Sequence, residues 1–319
     1  MPTAAEINRA AALLRAGRLV AFPTETVYGL GANALDPDAV ARIYAVKHRP
    51  PTSPLIVHVG STEMIDPLAA EWPEAAKRLT RLFWPGPLTL VVKKRTVVPE
   101  IVTAGLATVA LRMPAHPTAL ALIKAAAVPL AAPSANRFTE LSPTTADHVR
   151  RSLGNDVDYI LDGGPCLVGI ESTVLSLAEL QPVLLRPGGI SRQALESVIG
   201  PIASAQEGLG REVPIGAHPS PGMHARHYSP RTSLLLVSNG KLPEQGKGIY
   251  LQHTHAATRP TVTTVQMPTA AADYAAALYE KLHQADEANA DWIAVDVPPT
   301  TPEWEAVQDR LRRAAASNE

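Results

Sequence analysis

The sequence predicts an α/β protein made of two unequal units. Helical and strand patterns alternate through the first 200 of the 319 residues, disappear between 201 and 231, and return from 232 onward. The length is also about twice the ~150 residues of a common domain. We therefore expect a larger domain over 1–200, a linker over 201–231 and a smaller domain over 232–319.

The first unit is predicted to contain a mixed sheet with flanking helices. Apolar residues at helical spacing predict helices at 4–17, 36–46, 73–83, 117–127 and 144–152, and one starting near Ser191. Short apolar runs bounded by turn residues predict strands at 19–22, 54–59, 87–93, 108–113, 129–132, 157–161, 172–177 and 183–186. Because hairpins alternate with crossover helices in this order, the sheet should contain parallel and antiparallel pairs.

The second unit is predicted to be a small Rossmann-like α/β domain. Its expected strands are 232–238, 247–251, 261–265 and 291–297, and its expected helices are 269–288 and 302–316. Gly, Pro, His and Ala dominate the stretch before it, and no apolar period survives there. Long loops without secondary structure are usually functional, so we expect the linker to serve as an active-site loop.

Composition excludes several classes of protein. A net charge of −1 argues against non-specific nucleic-acid binding as the main role, since such binding depends on Lys and Arg contacts to phosphates. The single cysteine, Cys166, excludes an intrachain disulfide and a Cys-rich zinc site. The N-terminus lacks a signal-peptide pattern, and no apolar run reaches the ~18 residues of a membrane span. We expect a cytoplasmic protein without membrane contact.

Polar and cationic side chains follow several predicted strands and one predicted helix. Lys47 and Arg49, next to a proline turn, can converge on the oxygens of one polyphosphate, although cations at a helix end also complement its dipole. Arg112 ends a strand, where it can clamp a carboxylate or simply face solvent. Ser134 and Asn136 can donate to phosphate or acyl oxygens, and turns also favour both residues. Ligands of open α/β sheets bind at such strand ends.

Other site classes fit the sequence less well. Gly29 and Gly31 have the spacing of a dinucleotide fingerprint, but Arg49 stands near the place where an acidic residue is expected. No P-loop motif occurs, and Cys166 has no neighbouring base in the sequence. Several histidines cluster without a cysteine or carboxylate at ligand spacing, so we expect no protein-bound metal. These histidines are His218, His224 and His227 in the linker, and His253 and His255 beyond it.

Nine motifs in order carry a family resemblance. They are PTETVYGLGANA, KHRP, PLIVHV, FWPGPLTLV, ALRMPAHP, APSAN, SPT, GIEST and LLRPGG. The set closely resembles the threonylcarbamoyl-AMP synthase family, whose shared domain is called YrdC-like, and it covers 1–200. PGMHARHYSP at 221–230 resembles the linker of the longer, two-domain branch. His48 and Ser53 depart from the usual Gly and Asn, and neither change removes a charge from the expected catalytic set.

The resemblance implies a nucleotidyltransferase reaction. The amine of L-threonine captures carbon dioxide from bicarbonate as a carbamate, and a carbamate oxygen attacks the α-phosphate of ATP. The products are threonylcarbamoyl-AMP and pyrophosphate, and Mg²⁺ carried by ATP is the only expected cofactor. A separate complex then transfers the threonylcarbamoyl group to tRNA. This chain therefore need not hold tRNA itself, although weak RNA contact stays open.

Residue by residue, the resemblance implies three groups of site residues. The expected catalytic set around the triphosphate and carbamate is Lys47, Arg49, Ser134 and Asn136. The expected threonine-binding residues are Thr24, His58, Arg112 and Ser172. Further expected nucleotide contacts are Thr108, Ser142, Arg186 and Tyr228, the last in a His-Tyr-Ser-Pro segment that folds back over the site in the family. Two rival functions remain for the same fold, an RNA-binding module and a carbamoyltransferase with another acceptor.

Overall fold

The computed structural model describes residues 1–205, 227–256 and 259–316, which form two sheets with helices packed on them. The nine α-helices of these residues are α1 Ala4–Arg15, α2 Pro37–Lys47, α3 Glu74–Phe83, α4 Glu100–Thr103, α5 Pro117–Ala126, α6 Ala146–Leu153, α7 Arg192–Ile199, α8 Ala271–Glu287 and α9 Glu305–Ala314. None of the helices in the described ranges is long and apolar enough to cross a membrane.

Fourteen strands are present in the same ranges. They are β1 Val20–Phe22, β2 Gly29–Asn33, β3 Ile56–His58, β4 Leu88–Lys93, β5 Thr108–Arg112, β6 Leu130–Ala131, β7 Tyr159–Ile160, β8 Thr173–Ser176, β9 Val183–Arg186, β10 Ala203–Ser204, β11 Ser233–Val237, β12 Gly248–Gln252, β13 Val262–Gln266 and β14 Trp292–Asp296.

The larger sheet has ten strands in the order β10-β9-β8-β4-β5-β3-β6-β2-β1-β7. The pair β4 and β5 is antiparallel, whereas β3 pairs with β5, and β4 with β8, in the parallel sense. The predicted mixed sheet is thus confirmed. Its register sets His58 beside Arg112, so two predicted threonine-binding side chains start from neighbouring strand ends.

No strand was predicted for the glycine-rich segment after β1. Gly29–Asn33 forms strand β2, antiparallel to β1 and β6. Apolar periodicity missed it because glycine is a poor strand former. Here the lack of a side chain is needed, since a Cβ on Gly31 would lie 2.7 Å from the ring of Phe22. These glycines therefore do not open a helix, which excludes the dinucleotide fingerprint.

The turn after α2 explains how the chain presents its first cations. Asp36 caps the helix by accepting from the amides of Asp38 and Ala39. At the other end His48 adopts φ 52°, a left-handed conformation that favours glycine, and donates its backbone N–H to the last carbonyls of the helix. This is the position where the resemblance expected glycine. The reversal buries both Lys47 and Arg49.

The smaller sheet has the order β11-β14-β12-β13, and all of its pairs are parallel, which confirms the expected Rossmann-like unit. The predicted helix 302–316 begins instead as a 3₁₀ turn at Pro302–Trp304 and continues as α9. Two short elements were not predicted. Helix α4 is one turn long, and β10 lies inside the expected linker.

The two units share an apolar cluster. Val27, Ile170 and Tyr228 pack with Tyr279 and Leu311 of the smaller unit. Helix α8 comes so close to the loop before β8 that a Cβ on Gly169 would lie 2.5 Å from Cα of Ala276. Gly169 also has φ 74°, so both conformation and space require glycine there. This contact joins the smaller unit to the cavity described below.

Candidate active site

A cavity lies at the ends of several strands of the larger sheet, with an empty volume of about 550 Å³ that includes the solvent at its mouth. Eight of the predicted site residues line it. They are Thr24, Arg49, His58, Arg112, Ser134, Ser172, Arg186 and Tyr228. Since these residues are far apart in the sequence, the fold brings the predicted catalytic, threonine-binding and nucleotide-binding groups to one place.

Lys47 and Asn136 lie behind the cavity wall and shape it. The Nζ atom of Lys47 donates to the backbone carbonyls of Ser134, at 2.6 Å, and of Asn136. Asn136 donates through Nδ2 to the carbonyls of Arg137 and Glu140. Burial, followed by the charge of Arg49, lowers the pKa of Lys47 well below its usual value. These two side chains therefore hold the loop that presents Ser134.

Thr108 is not brought to the cavity. It begins β5 opposite Lys93, whereas Arg112 ends the same strand at the cavity. Four residues of extended chain separate the two by about 13 Å. Ser142 does not line the cavity either, but its buried Oγ donates to Oε1 of Glu171 at 2.6 Å. Thr108 therefore makes no contribution to the cavity, and Ser142 contributes only indirectly, through its hydrogen bond to Glu171.

Two of the cavity arginines are held by backbone carbonyls. Arg49 donates to the carbonyls of Ser53 and Pro54, and its guanidinium lies 5.7 Å from the ring centroid of Phe138. Burial lowers the pKa of Arg49 to about 10, so it stays charged at neutral pH. Arg186 donates to the carbonyl of Ser172 at 3.0 and 3.1 Å. A carbonyl is neutral, so these partners fix the two guanidinium groups without adding a negative charge.

The third cavity arginine, Arg112, has a carboxylate partner that sequence reasoning missed. Its Nη2 lies 2.7 Å from Oε1 of Glu25, and both side chains are buried. Glu25 is fixed in turn by the backbone N–H of Ala115, which donates to Oε2 at 3.0 Å. The pair orients Arg112 in the predicted threonine pocket.

His58 and Thr24 add polar groups of different kinds to this pocket. Burial, followed by the charge of Arg112, lowers the pKa of His58 to about 3, so the imidazole is neutral at pH 7. Its Nδ1 has no hydrogen-bond partner among the described residues. Thr24 uses its hydroxyl locally, because Oγ1 donates to the carbonyl of Val27 at 2.6 Å. His58 thus offers an open polar atom, and Thr24 supports the turn.

Glu171 is the second residue that sequence reasoning missed. Among the described residues that line the cavity it is the only carboxylate. Besides Ser142, it accepts from Tyr279, whose hydroxyl lies 3.2 and 3.1 Å from its two oxygens, and from Nε of Arg310 at 2.6 Å. Its place in the GIEST motif was the available signal, but two of its three partners, Tyr279 and Arg310, lie in the smaller unit.

The end of the linker closes one side of the cavity. Tyr228 is 1% exposed and adopts φ 61°, and the guanidinium of Arg310 lies 5.2 Å from its ring centroid. His227 packs edge-on against Phe138 at 5.7 Å. Ser229 donates its N–H to the carbonyl of Thr139 at 2.8 Å, which fixes the segment. The expected return of this segment to the site is present.

The histidines do not assemble into a metal site where the structure describes them. His218 and His224 lie outside the described residues. His227 faces the cavity, whereas the backbone N–H groups of His253 and His255 donate to Asp296 at the carboxyl end of β14. In the described ranges, no group of three His, Cys, Asp or Glu side chains is placed to hold a metal ion. Burial raises the pKa of Cys166, which argues against a reactive thiolate.

Known proteins share this arrangement along nearly the whole chain. Residues 12–188 match the family described as Telomere recombination, named for Sua5, YciO and YrdC, and residues 190–316 match the threonylcarbamoyl-AMP synthase C-terminal domain. The Bacillus subtilis threonylcarbamoyl-AMP synthase is 45% identical over 97% of this chain and 93% of its own length. The chain belongs to the threonylcarbamoyl-AMP synthase family.

Structures of the family agree with this fold. The Pyrococcus abyssi threonylcarbamoyl-AMP synthase is 42% identical over 97% of this chain and 94% of its own. A crystal structure of P. abyssi Sua5 complexed with L-threonine superposes with a TM-score of 0.88 at 42% identity, again covering 97% of this chain and 94% of that one. The two-domain form of the threonylcarbamoyl-AMP synthase family is thus the architecture of this chain.

Proposed function

We propose that this chain is an L-threonylcarbamoyladenylate synthase. It joins L-threonine, bicarbonate-derived carbon dioxide and ATP into threonylcarbamoyl-AMP and releases pyrophosphate, which makes it a nucleotidyltransferase of tRNA modification. The observation that carries the proposal is a cavity in which three arginines meet small polar side chains. Full-length relatives of the same name, and a relative that binds L-threonine, support it.

The threonine end of the cavity is assigned to the strand ends of β3 and β5. Arg112, oriented by Glu25, would bind the carboxylate of threonine bidentately. The neutral imidazole of His58 can accept a hydrogen bond from the substrate, because its Nδ1 is open. His58 can thus accept a hydrogen bond from threonine while Arg112 holds its carboxylate. The amine is then left to form the carbamate.

The phosphate end is assigned to Arg49, Arg186 and the loop of Ser134. Charge develops on the α-phosphate and on the leaving pyrophosphate when the carbamate oxygen attacks. Arg49 and Arg186 are already fixed by backbone carbonyls, so they need little reorganisation to stabilise that charge. Lys47 supports the catalysis by holding the carbonyls of Ser134 and Asn136 in place. No covalent enzyme intermediate is needed.

Mg²⁺ is proposed to enter with ATP and to be held mainly by its phosphates. The cavity carboxylate Glu171 already accepts from three donors, and Glu25 is paired with Arg112. Neither of these two carboxylates is open to a metal ion. This fits a cation that is coordinated mainly by phosphate oxygens. When bound, the cation supplies charge neutralisation between the phosphates.

The linker segment is proposed to protect the product. Tyr228 and His227 line the cavity, and their position would exclude water from an adenylate that hydrolyses readily. We further propose that the protein works in the cytoplasm and passes its product to a separate tRNA threonylcarbamoyltransferase complex. Neither step requires this chain to bind a membrane or to hold tRNA.

The proposal is tested by pyrophosphate release from the purified full-length protein. With Mg-ATP, bicarbonate and L-threonine, we expect pyrophosphate to form, and omission of any one substrate should abolish it. Arg49→Ala should retain the fold and lose most of the turnover. Release that continues without threonine would contradict the proposal. An inactive protein that binds RNA in a salt-sensitive way would favour the RNA-binding module instead.

A further inference from the structure

The smaller unit places a charge behind the cavity wall, in contact with the lining residue Glu171. Arg310 of α9 is 1% exposed, and its Nε donates to Oε2 of Glu171 at 2.6 Å. On its other side, Nη1 donates to Asp309 at 2.8 Å, and Asp309 also accepts from Arg313 at 3.0 Å. Arg310 therefore forms a direct ion pair between the smaller unit and the cavity carboxylate.

Glu171 needs a cation because it is a buried carboxylate. Burial alone would raise its pKa, but Arg310, Arg186 and the hydrogen bond from Ser142 lower the pKa below the usual value. The carboxylate is therefore ionised at neutral pH. A negative charge on the wall of a polyphosphate site repels the ligand unless a neighbouring cation neutralises it.

Two cations compete for this carboxylate. Arg186 lines the cavity and Arg310 does not, and both lower the pKa of Glu171. Arg186 donates to the carbonyl and the hydroxyl of Ser172, and Arg310 makes the direct ion pair. Without Arg310, Arg186 would be the remaining cation beside Glu171 and would be drawn toward it.

We infer that Arg310 is a positioning residue for the polyphosphate site, which acts by neutralising Glu171 and so leaves the cavity arginines to the ligand. This inference rests on the proposed function. It assigns to the smaller unit a direct electrostatic contribution to the site in the larger one. Tyr279 assists with an uncharged donor, since its hydroxyl contacts both oxygens of Glu171.

The test measures binding of inorganic pyrophosphate to the full-length protein by calorimetry. R310M should weaken binding about tenfold, because one uncompensated charge is left beside the ligand. The double variant E171Q/R310M should bind within about threefold of wild type, since the charge that Arg310 neutralises is then absent. R312M is the matched control, because Arg312 is exposed on the same helix, and it should bind as wild type does.

The outcomes separate this inference from the proposed reaction. An R310M protein that binds as tightly as wild type, or one that E171Q does not restore, would overturn the inference. If R310M does not fold, R310K takes its place. It keeps the charge and should bind within about threefold of wild type, and a tenfold loss would refute the electrostatic role. A wild-type protein that binds pyrophosphate with this pattern but forms no adenylate would refute the reaction alone.

Discussion

Replacing Gly169 with alanine should detach helix α8 from the loop that carries Glu171. The new Cβ would lie 2.5 Å from Cα of Ala276 and 2.6 Å from the carbonyl oxygen of Ala275, and both atoms are backbone. A backbone contact of this kind cannot be relieved by a side-chain rotation. Overpacking of this type costs about 1–3 kcal/mol.

The left-handed conformation of Gly169 adds a second cost, about 1–2 kcal/mol for an L residue at φ 74°. Gly105 separates the two costs, since it has φ 78° and the Cβ of an alanine there would meet no atom within 4 Å beyond its own chain neighbours. Gly105→Ala should therefore show the conformational cost alone. The excess loss in Gly169→Ala then reports the clash with α8, and we expect about 1–3 kcal/mol.

Urea unfolding of both variants provides the assay. The midpoints and slopes are compared by tryptophan fluorescence, with Trp72 and Trp84 in the larger unit and Trp292 and Trp304 in the smaller one. Gly169→Ala should unfold at lower urea than Gly105→Ala and should also lose pyrophosphate affinity, because Glu171 follows the displaced loop. Equal midpoints for the two variants would refute the close packing of α8 against this loop.

Three further predictions follow from single contacts. His48→Gly should stabilise the protein by about 0.5–1 kcal/mol, since glycine accepts φ 52° without strain, and an unchanged thermal midpoint would contradict this. Burial, followed by the stacked His283, lowers the pKa of His148 to about 3, so the free energy of unfolding should fall as pH falls from about 6.5 toward 3. In urea titrations across that range, His148→Gln should lose less stability than the wild-type protein. Parallel pH profiles for the two proteins would contradict this. Arg112→Ala, made together with Glu25→Gln so that no buried carboxylate is left unpaired, should raise the threonine KM far more than the ATP KM, and equal increases would remove Arg112 from the threonine pocket.

The elements that could be predicted from the sequence are those with a local apolar pattern. Strands such as β4 and β9 are short apolar runs, and helices α1 and α2 carry both periodicity and caps. Strand β2 is not predicted because it lacks an apolar pattern. Its glycine at position 31 is required by the ring of Phe22, which leaves no room for a side chain there. That requirement comes from a neighbouring strand, so no local pattern reveals it.

The same limit applies to the site. Cations and hydroxyls at strand ends are visible in the sequence, and most of those predicted do line the cavity. Their partners are not visible, because a buried carboxylate can be matched by any cation that the fold brings near. Glu171 and Arg310 are separated by 139 residues and belong to different units of the fold. Only the packed structure shows that the smaller unit supports the cavity wall through its contacts with Glu171.

We propose that one cavity joins threonine, carbon dioxide and the adenylyl group of ATP. The most direct test is mass spectrometry of the reaction mixture with ¹³C-labelled bicarbonate and L-threonine. We expect an adenylate with the mass of threonylcarbamoyl-AMP that carries the label, and we expect Arg49→Ala to lose that species. ATP consumption that yields only unlabelled AMP, or an adenylate that forms without threonine, would contradict it.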